Sequence, residues 1–293
     1  MPVINRLFYK LRHLGLALMI MVMASTSWGK ATLLEHYHRL KTGSSTLPGT
    51  HISLASSVQD DALSAEVNSI VPTPFENVAT ALAQARNWCQ VMPLHFNIKA
   101  CTYENRNGVD VLNVYSGRKI YESPEDSYQL AYQFEVIQHD DKRLSLRLRA
   151  EDGPVGTSDY LIELEAVPVA EGTLLHIHSS YQPSWLSSML TSAYLSTVGS
   201  DKVGFSQVEE DGESHPVQGI RGIIERNVMR YHLAINAFFS TQSLPEDQRY
   251  DATLLSWFKQ NDSYPQLHEM DQAEYLEIKH DEWQNQQQIG RAQ

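Results

Sequence analysis

Ile220-Arg221-Gly222-Ile223-Ile224-Glu225-Arg226-Asn227-Val228-Met229-Arg230-Tyr231-His232-Leu233-Ala234-Ile235-Asn236-Ala237-Phe238-Phe239 is the stretch on which the fold turns. Ile220, Ile224, Asn227, Val228, Tyr231, Ile235 and Phe238 recur at helical spacing as an apolar stripe, while Arg221, Glu225, His232 and Asn236 face away. So long an amphipathic helix needs an apolar surface to lie on. The residues before it supply one.

Upstream, the hydrophobic period is two. Leu94, Phe96, Ile98 and Ala100 alternate with His95, Asn97, Lys99 and Cys101. After a turn at Asn105-Arg106-Asn107-Gly108, a strand covers Val111 to Tyr121. Tyr128, Leu130, Tyr132, Phe134 and Val136 share one strand face, and Leu144, Leu146 and Leu148 alternate with Arg143, Ser145, Arg147 and Arg149. Thr157 to Val169 and Thr173 to Tyr181 complete a meander around Ala170-Glu171. One apolar and one charged face on successive strands describes a half-solvated antiparallel sheet. A helix starting at Pro74 carries Val78, Leu82, Ala85 and Trp88 at helical spacing, and Trp185 to Thr197 reads as a short helix. Lys202 to Val208 is a candidate last strand; two helical stretches, about 251–259 and 272–286, follow Pro245. From Lys30 to Pro72 the pattern is weak, with a helix at best over Ser56 to Ser69. The expected division is a signal peptide over 1–29, an N-terminal arm over 30–72, a compact domain over 73–241 and a C-terminal helical appendage over 242–293.

The signal reading rests on Arg6, Lys10 and Arg12 ahead of an apolar run from Leu14 to Ala24, then small residues at Ser27 and Gly29. Spanning a bilayer takes about 20 apolar residues, so this run is too short for a stable membrane anchor. The expected address is the periplasm. The first 29 residues hold three of the 23 Lys and Arg and none of the 35 Asp and Glu, so the mature chain would carry a net charge of −15 against −12 for the whole. That charge argues against nucleic acid as a partner.

Cys89 and Cys101 are the only cysteines. In an oxidising compartment a close pair forms a disulfide sooner than two free thiols; two buried thiols that never meet are the alternative. If Ala170-Glu171 is a two-residue turn, Val169 pairs with Gly172, Glu165 lies opposite His176 and Glu163 opposite His178. Two His and two carboxylates on one face suit zinc, but a cross-strand charge ladder extended by Arg147 and Arg149 is the preferred reading. His268-Glu269-Met270-Asp271-Gln272 fails the zinc-protease pattern at Gln272, and His36-Tyr37-His38 falls in the arm. With no nucleophile elbow, phosphate loop or dinucleotide fingerprint, neither metal nor cofactor is expected. Asn227 and Tyr231 are polar tips within the apolar stripe. They either orient a ligand's head group, with Tyr132 and Tyr160 from the sheet, or form a buried pair satisfied by backbone or water. His95 is expected to be structural.

The order of elements over Pro74 to Ser240 resembles the START-like, or helix-grip, superfamily. The likeness rests on Pro74-Phe75-Glu76-Asn77-Val78, the hairpin Glu165-Ala166-Val167-Pro168-Val169-Ala170-Glu171-Gly172-Thr173 and the closing helix. The chain is also similar to a group of uncharacterised exported proteobacterial proteins through Trp88-Cys89 and Asp201-Lys202-Val203-Gly204-Phe205. The resemblance implies an α+β fold with a curved antiparallel sheet around a long helix, and a cavity for lipids or other hydrophobic ligands. It carries over no catalytic residue. The expected ligand-binding set is Tyr132, Phe134, Leu148, Tyr160, Asn227, Tyr231 and Phe238. The leading function is an exported, non-catalytic binding protein for a hydrophobic or amphipathic small molecule. The alternatives are a cyclase- or hydrolyase-like enzyme on the same scaffold, and an interaction module whose C-terminal helices dock a protein partner over a filled cavity.

Overall fold

The computed structural model describes residues 28–42, 47, 50–195, 202–210 and 212–292. Most of the expected signal segment, residues 1–27, lies outside the described residues, as do 196–197 of the expected short helix. The chain forms two compact units, residues 1–44 and 45–293. In the first, helix α1 (Trp28–Lys41) carries His38, Arg39 and Lys41 in its last turn, where cations complement the helix dipole. Thr42 closes it by donating through Oγ1 to the His38 carbonyl at 3.0 Å. No described helix is long and apolar enough to cross a membrane.

The second unit is built on eight antiparallel strands: β1 (Ile52–Gln59), β2 (Ala62–Val71), β3 (Ile98–Arg106), β4 (Val109–Ser116), β5 (Tyr128–His139), β6 (Leu144–Asp152), β7 (Ser158–Val169) and β8 (Gly172–Gln182). Their order is β1-β2-β8-β7-β6-β5-β4-β3, so β2 pairs with β8 and the meander runs from there. Register shifts in β3–β4, β5–β6 and β7–β8 add local twist, which curves the sheet. The β7–β8 register is the expected one: Val169 meets Gly172, Glu165 meets His176 and Glu163 meets His178.

Several expectations need correction. Residues 52–71, expected as an arm with a helix at best, supply β1 and β2. Their apolar residues Leu63, Ala65 and Val67 alternate inward, and Asp60 and Asp61 turn the chain with positive φ. The helix from Pro74 breaks into α2 (Phe75–Leu82) and α3 (Ala85–Val91), because Asn87 Nδ2 and Trp88 Nε1 cap the carbonyls of Ala81 and Leu82. Leu94 and Phe96 precede β3 rather than belonging to it, since Pro93 sets a 3-10 turn over Met92–Leu94. Helix α4 spans Trp185–Leu195. The candidate strand over 202–208 lies apart from the main sheet, as a hairpin of β9 (Gln207–Glu210) and β10 (Glu213–Pro216).

The long helix α5 (Gly219–Thr241) is gripped between the sheet, at β1, β2 and β8, and helix α6 (Glu246–Asp262). It therefore has no solvent face of the kind its sequence suggested. Glu225 is 0 % exposed and His232 is 1 % exposed, although both were expected to face away. Gly204 and Gly222 let the loop before β9 cross the helix closely. A Cβ on Gly204 would stand 2.5 Å from Glu225 Oε2, and one on Gly222 only 3.1 Å from the Gly204 nitrogen. The last helix, α7 (Gln272–Ala292), lies along β3 at the edge of the sheet. Trp257 and Tyr275, from the two final helices, stack at 5.2 Å in the core and are fully buried, so these helices complete the fold.

Candidate functional site

A cavity of about 200 Å³ lies between α5 and the inner face of the sheet. Tyr132 reaches it from β5, Tyr160 from β7 and Tyr181 from β8, while Asn227 and Tyr231 enter from α5 and His95 from the turn before β3. The aromatic rings are ordered by contact. Tyr160 stacks on Tyr181 at 5.2 Å, Tyr132 meets Tyr160 edge-on at 6.5 Å, and His95 stacks on Tyr231 at 5.2 Å. A hydrogen bond of 2.8 Å to Thr157 Oγ1 fixes the Tyr160 hydroxyl. Burial pushes the Tyr231 and Tyr181 hydroxyls up to about 12 and Tyr132 well above its ordinary value, so all three stay neutral donors at physiological pH.

His95 has a defined tautomer. Its Nδ1 accepts the Asn97 backbone N–H at 3.1 Å, which places the proton of the neutral ring on Nε2. Nε2 is buried, near the Asn227 side chain but without a well-formed hydrogen bond. Burial, and then the positive charges of Arg230, Lys119 and Lys279, hold the ring's pKa well below the usual histidine value, with Asn227 opposing them weakly. The ring is therefore a neutral N–H donor in the wall of the cavity.

Two charge clusters lie near His95, a partly exposed one at Glu269 and a buried one at Glu282. Glu269 accepts from Arg230 Nη2 at 2.6 Å and Lys119 Nζ at 2.7 Å, with Lys202 Nζ at 3.4 Å. Burial would raise the Glu269 carboxyl, but these cations, Arg230 first, hold it at about 2. Glu282 joins Lys99 at 2.8 Å and Lys279 at 2.7 Å. Lys279 also donates to the His95 and Ile98 carbonyls at 2.9 Å each. Burial lowers both Lys119 and Lys279 to about 8 against the pull of their carboxylates.

Of the seven residues expected to bind ligand, the structure brings four to the cavity: Tyr132, Tyr160, Asn227 and Tyr231. The other three stand elsewhere. Phe134 and Leu148 are cross-strand partners in the packed core, with Phe134 6.5 Å from Trp88. Phe238, two helical turns beyond Tyr231, lines a separate space of about 270 Å³ with Cys89, Tyr250 and Trp283. Tyr181 was missed because its strand was read by its apolar members. His95 was set aside because nothing local in the sequence separates a cavity donor from a core histidine. An open cleft of about 720 Å³ lies on the other side of the Tyr160–Tyr181 pair.

Three of the four residues weighed as a metal set have polar partners at neighbouring strands. Glu163 takes two hydrogen bonds from Arg147 at 2.9 and 2.8 Å, Glu165 pairs with Arg143, and His176 Nδ1 meets Asn68 Oδ1 at 2.8 Å. Cys89 and Cys101 are joined in a disulfide, their Cα atoms 5.0 Å apart, tying α3 to β3.

No family model matches the sequence, and no curated protein matches it. Solved structures similar to the chain include a STAR-related lipid transfer protein fragment from Xanthomonas axonopodis, 13 % identical over 44 % of this chain and 75 % of that one, with a TM-score of 0.34. Human StAR-related lipid transfer protein 5 is 9 % identical over 58 % of this chain and 88 % of its own, with a TM-score of 0.33. CalU16 from Micromonospora echinospora is 12 % identical over 75 % of this chain and 99 % of its own, with a TM-score of 0.32. The helix-grip α+β architecture rests on this chain's own strand order and on the seat of α5 against the sheet.

Proposed function

We propose that this is an exported binding protein for a small hydrophobic or amphipathic molecule, held in the cavity beneath α5. The observation that carries the reading is a space walled by four tyrosines and aliphatic side chains that also presents His95, Asn97, Ser116 and Asn227, the mix of apolar wall and few polar groups by which small-molecule sites divide affinity from orientation. Common ligand pockets measure roughly 300–1,000 Å³, so about 200 Å³ suits a single ring or a short chain. A longer lipid-like ligand would have to part Tyr160 from Tyr181 and extend into the outer cleft.

The tautomer of His95 weighs against the enzyme alternative. A general base needs a free lone pair directed at substrate, and the only one on this ring already accepts a backbone N–H. The interaction-module alternative is weakened in turn, because Trp257, Phe258 and Tyr275 of the C-terminal helices are buried in the core rather than offered to a partner. Export is supported by the basic and apolar pattern of residues 1–29 and by the Cys89–Cys101 disulfide.

Native mass spectrometry of protein recovered from the periplasm tests the reading. The expected result is a mass matching cleavage after Gly29, a retained small molecule and no titratable thiol. Protein confined to the cytoplasm overturns the address. A mature chain that carries nothing and binds no apolar probe overturns the function.

A further inference from the structure

Helix α4 turns its amphipathic faces the wrong way round for a helix that packs on its own protein. Its sequence sets Trp185, Met189 and Leu190 against Ser187, Ser188 and Thr191. In the fold Trp185 is 79 % exposed, Met189 47 % and Leu190 50 %, whereas the two serines and the threonine are half-buried. Burying the apolar members instead would gain free energy. A contiguous apolar face left in water marks a surface meant to be covered.

The helix is fixed in this attitude. The Ser184 hydroxyl accepts the Ser187 N–H at 2.9 Å, capping the first turn, and donates to the Val155 carbonyl at 2.7 Å. Val155, 43 % exposed, extends the patch. Its loop runs from Pro154, in the wall of the 200 Å³ cavity, to Thr157, whose hydroxyl meets that of Tyr160. The patch therefore adjoins the cavity wall.

Composition points to what covers it. Between His178 and Asp201 no side chain but tyrosine is ionisable, in a chain that is 20 % charged. Tryptophan favours the membrane–water interface, and a short helix with one bulky apolar face lies in that interface. Its 11 residues reach about 17 Å, roughly half of a hydrocarbon core of about 30 Å, so α4 can lie in a lipid layer but not cross it. The charges nearest Val155 along the chain, Glu151, Asp152 and Asp159, are acidic, and the net charge is −12, so anionic lipid adds no attraction. A second copy fits less well. The patch is on the order of 400 Å², half of the roughly 800 Å² per partner that a stable pairing needs.

We infer that α4, together with Val155, is a docking surface for a zwitterionic lipid layer, with Trp185, Met189 and Leu190 seated at the boundary of head groups and acyl chains. The inference goes beyond the cavity reading and does not depend on what the cavity holds.

Site-specific fluorescence tests it. Both native cysteines are tied in the disulfide, so one introduced cysteine takes one label. Met189→Cys is labelled with an environment-sensitive dye and mixed with phosphatidylcholine vesicles. The control is Ile137→Cys, 49 % exposed at the opposite end of the sheet. Emission from position 189 should shift to the blue, and emission from position 137 should not. Adding Trp185→Ser should raise the lipid concentration at half-shift about tenfold or more, the loss expected for one large apolar side chain. Added phosphatidylglycerol should not tighten binding. No shift at 189, an equal shift at both positions, or an unchanged half-shift in the Trp185→Ser background overturns docking through α4. A shift that requires phosphatidylglycerol overturns the zwitterionic class. A shift that appears without lipid and grows with protein concentration assigns the patch to a second copy and overturns the inference. Retention of a small molecule in the cavity is read separately by mass spectrometry, so the two readings fail independently.

Discussion

Glu225 and His95 are both buried polar groups packed at α5, yet they are opposites in how they are satisfied. The Glu225 carboxylate accepts from the Phe205 N–H at 2.7 Å, the Ser206 N–H at 2.9 Å, Ser56 Oγ at 2.6 Å and Ser206 Oγ. Every lone-pair direction is used, and the group holds β1, the loop before β9 and the start of α5 to one another. The His95 ring is fixed by a single backbone bond and leaves its only proton without a well-formed bond at a cavity. The contrast separates two roles. A saturated buried charge is an anchor; an unsaturated buried donor, held rigid, is a place for something else to bind.

The largest effect expected from that contrast comes from Glu225→Leu. It strands two backbone donors and two hydroxyls, and should cost about 3–5 kcal/mol, the range for breaking a buried, fully paired charge. Urea denaturation measures it. A loss under 1 kcal/mol would remove Glu225 from the class of anchors.

Next in size is a pH effect at His232, a second saturated group on the same helix. Its Nδ1 lies 3.2 Å from Ser69 Oγ and its Nε2 3.1 Å from Asn236 Nδ2, and burial lowers its pKa to about 4. The folded pKa lies below the ordinary 6.5, so between the two the unfolded chain binds a proton that the folded chain refuses. Stability attributable to this ring is therefore complete above pH 6.5 and lost as pH falls toward 4, by roughly 2–3 kcal/mol. His95, also lowered, adds loss in the same direction. His232→Gln should flatten the acid side of the stability–pH curve. An unchanged slope would mean that the ring is already charged in the fold.

The smallest effect sharpens the comparison from the other side. His95→Phe removes a donor that has no well-formed bond and keeps a flat ring beside Tyr231, but it also leaves the Asn97 N–H without its acceptor, and should cost about 1–2 kcal/mol. A cost matching that of Glu225→Leu would break the distinction and return His95 to the structural role its sequence suggested.

The sequence revealed what is local and hid what is distant. The β7–β8 register followed from a two-residue turn at Ala170-Glu171, and Cys89 and Cys101 declared their pairing by being alone. The stripe of α5 was legible from Ile224 to Phe238. The opposite face of that helix was misread because its cover, from β1, β2 and the loop before β9, comes from other parts of the chain, and no periodicity within one segment reports a second surface packed on it. Polar residues such as Glu225 and His232 then look solvated when they are buried and bonded. Strands β1 and β2 were missed because Ile52–Gln59 carries three serines, and the strength of an apolar alternation is the only mark such a strand offers. Within the site, Asn227 and Tyr231 could be proposed from their stripe. His95 could not, since its meaning comes from the cations of Arg230 and Lys279, which are more than a hundred residues away in the chain.

The lock between α7 and β3 carries a consequence for how the molecule is assembled. Strand β3 ends the sheet, and its outward edge is closed by groups supplied from far downstream: Gln286 Oε1 accepts the Cys101 N–H at 2.8 Å, and Lys99 reaches Glu282 across 183 positions of chain. An open strand edge is a template for pairing with any extended chain nearby, and contacts of such long span form late. The growing polypeptide must therefore carry a sticky border until its final helix arrives. The disulfide to Cys89, only twelve positions from Cys101, can meanwhile pin that border to its own neighbour and keep it from straying.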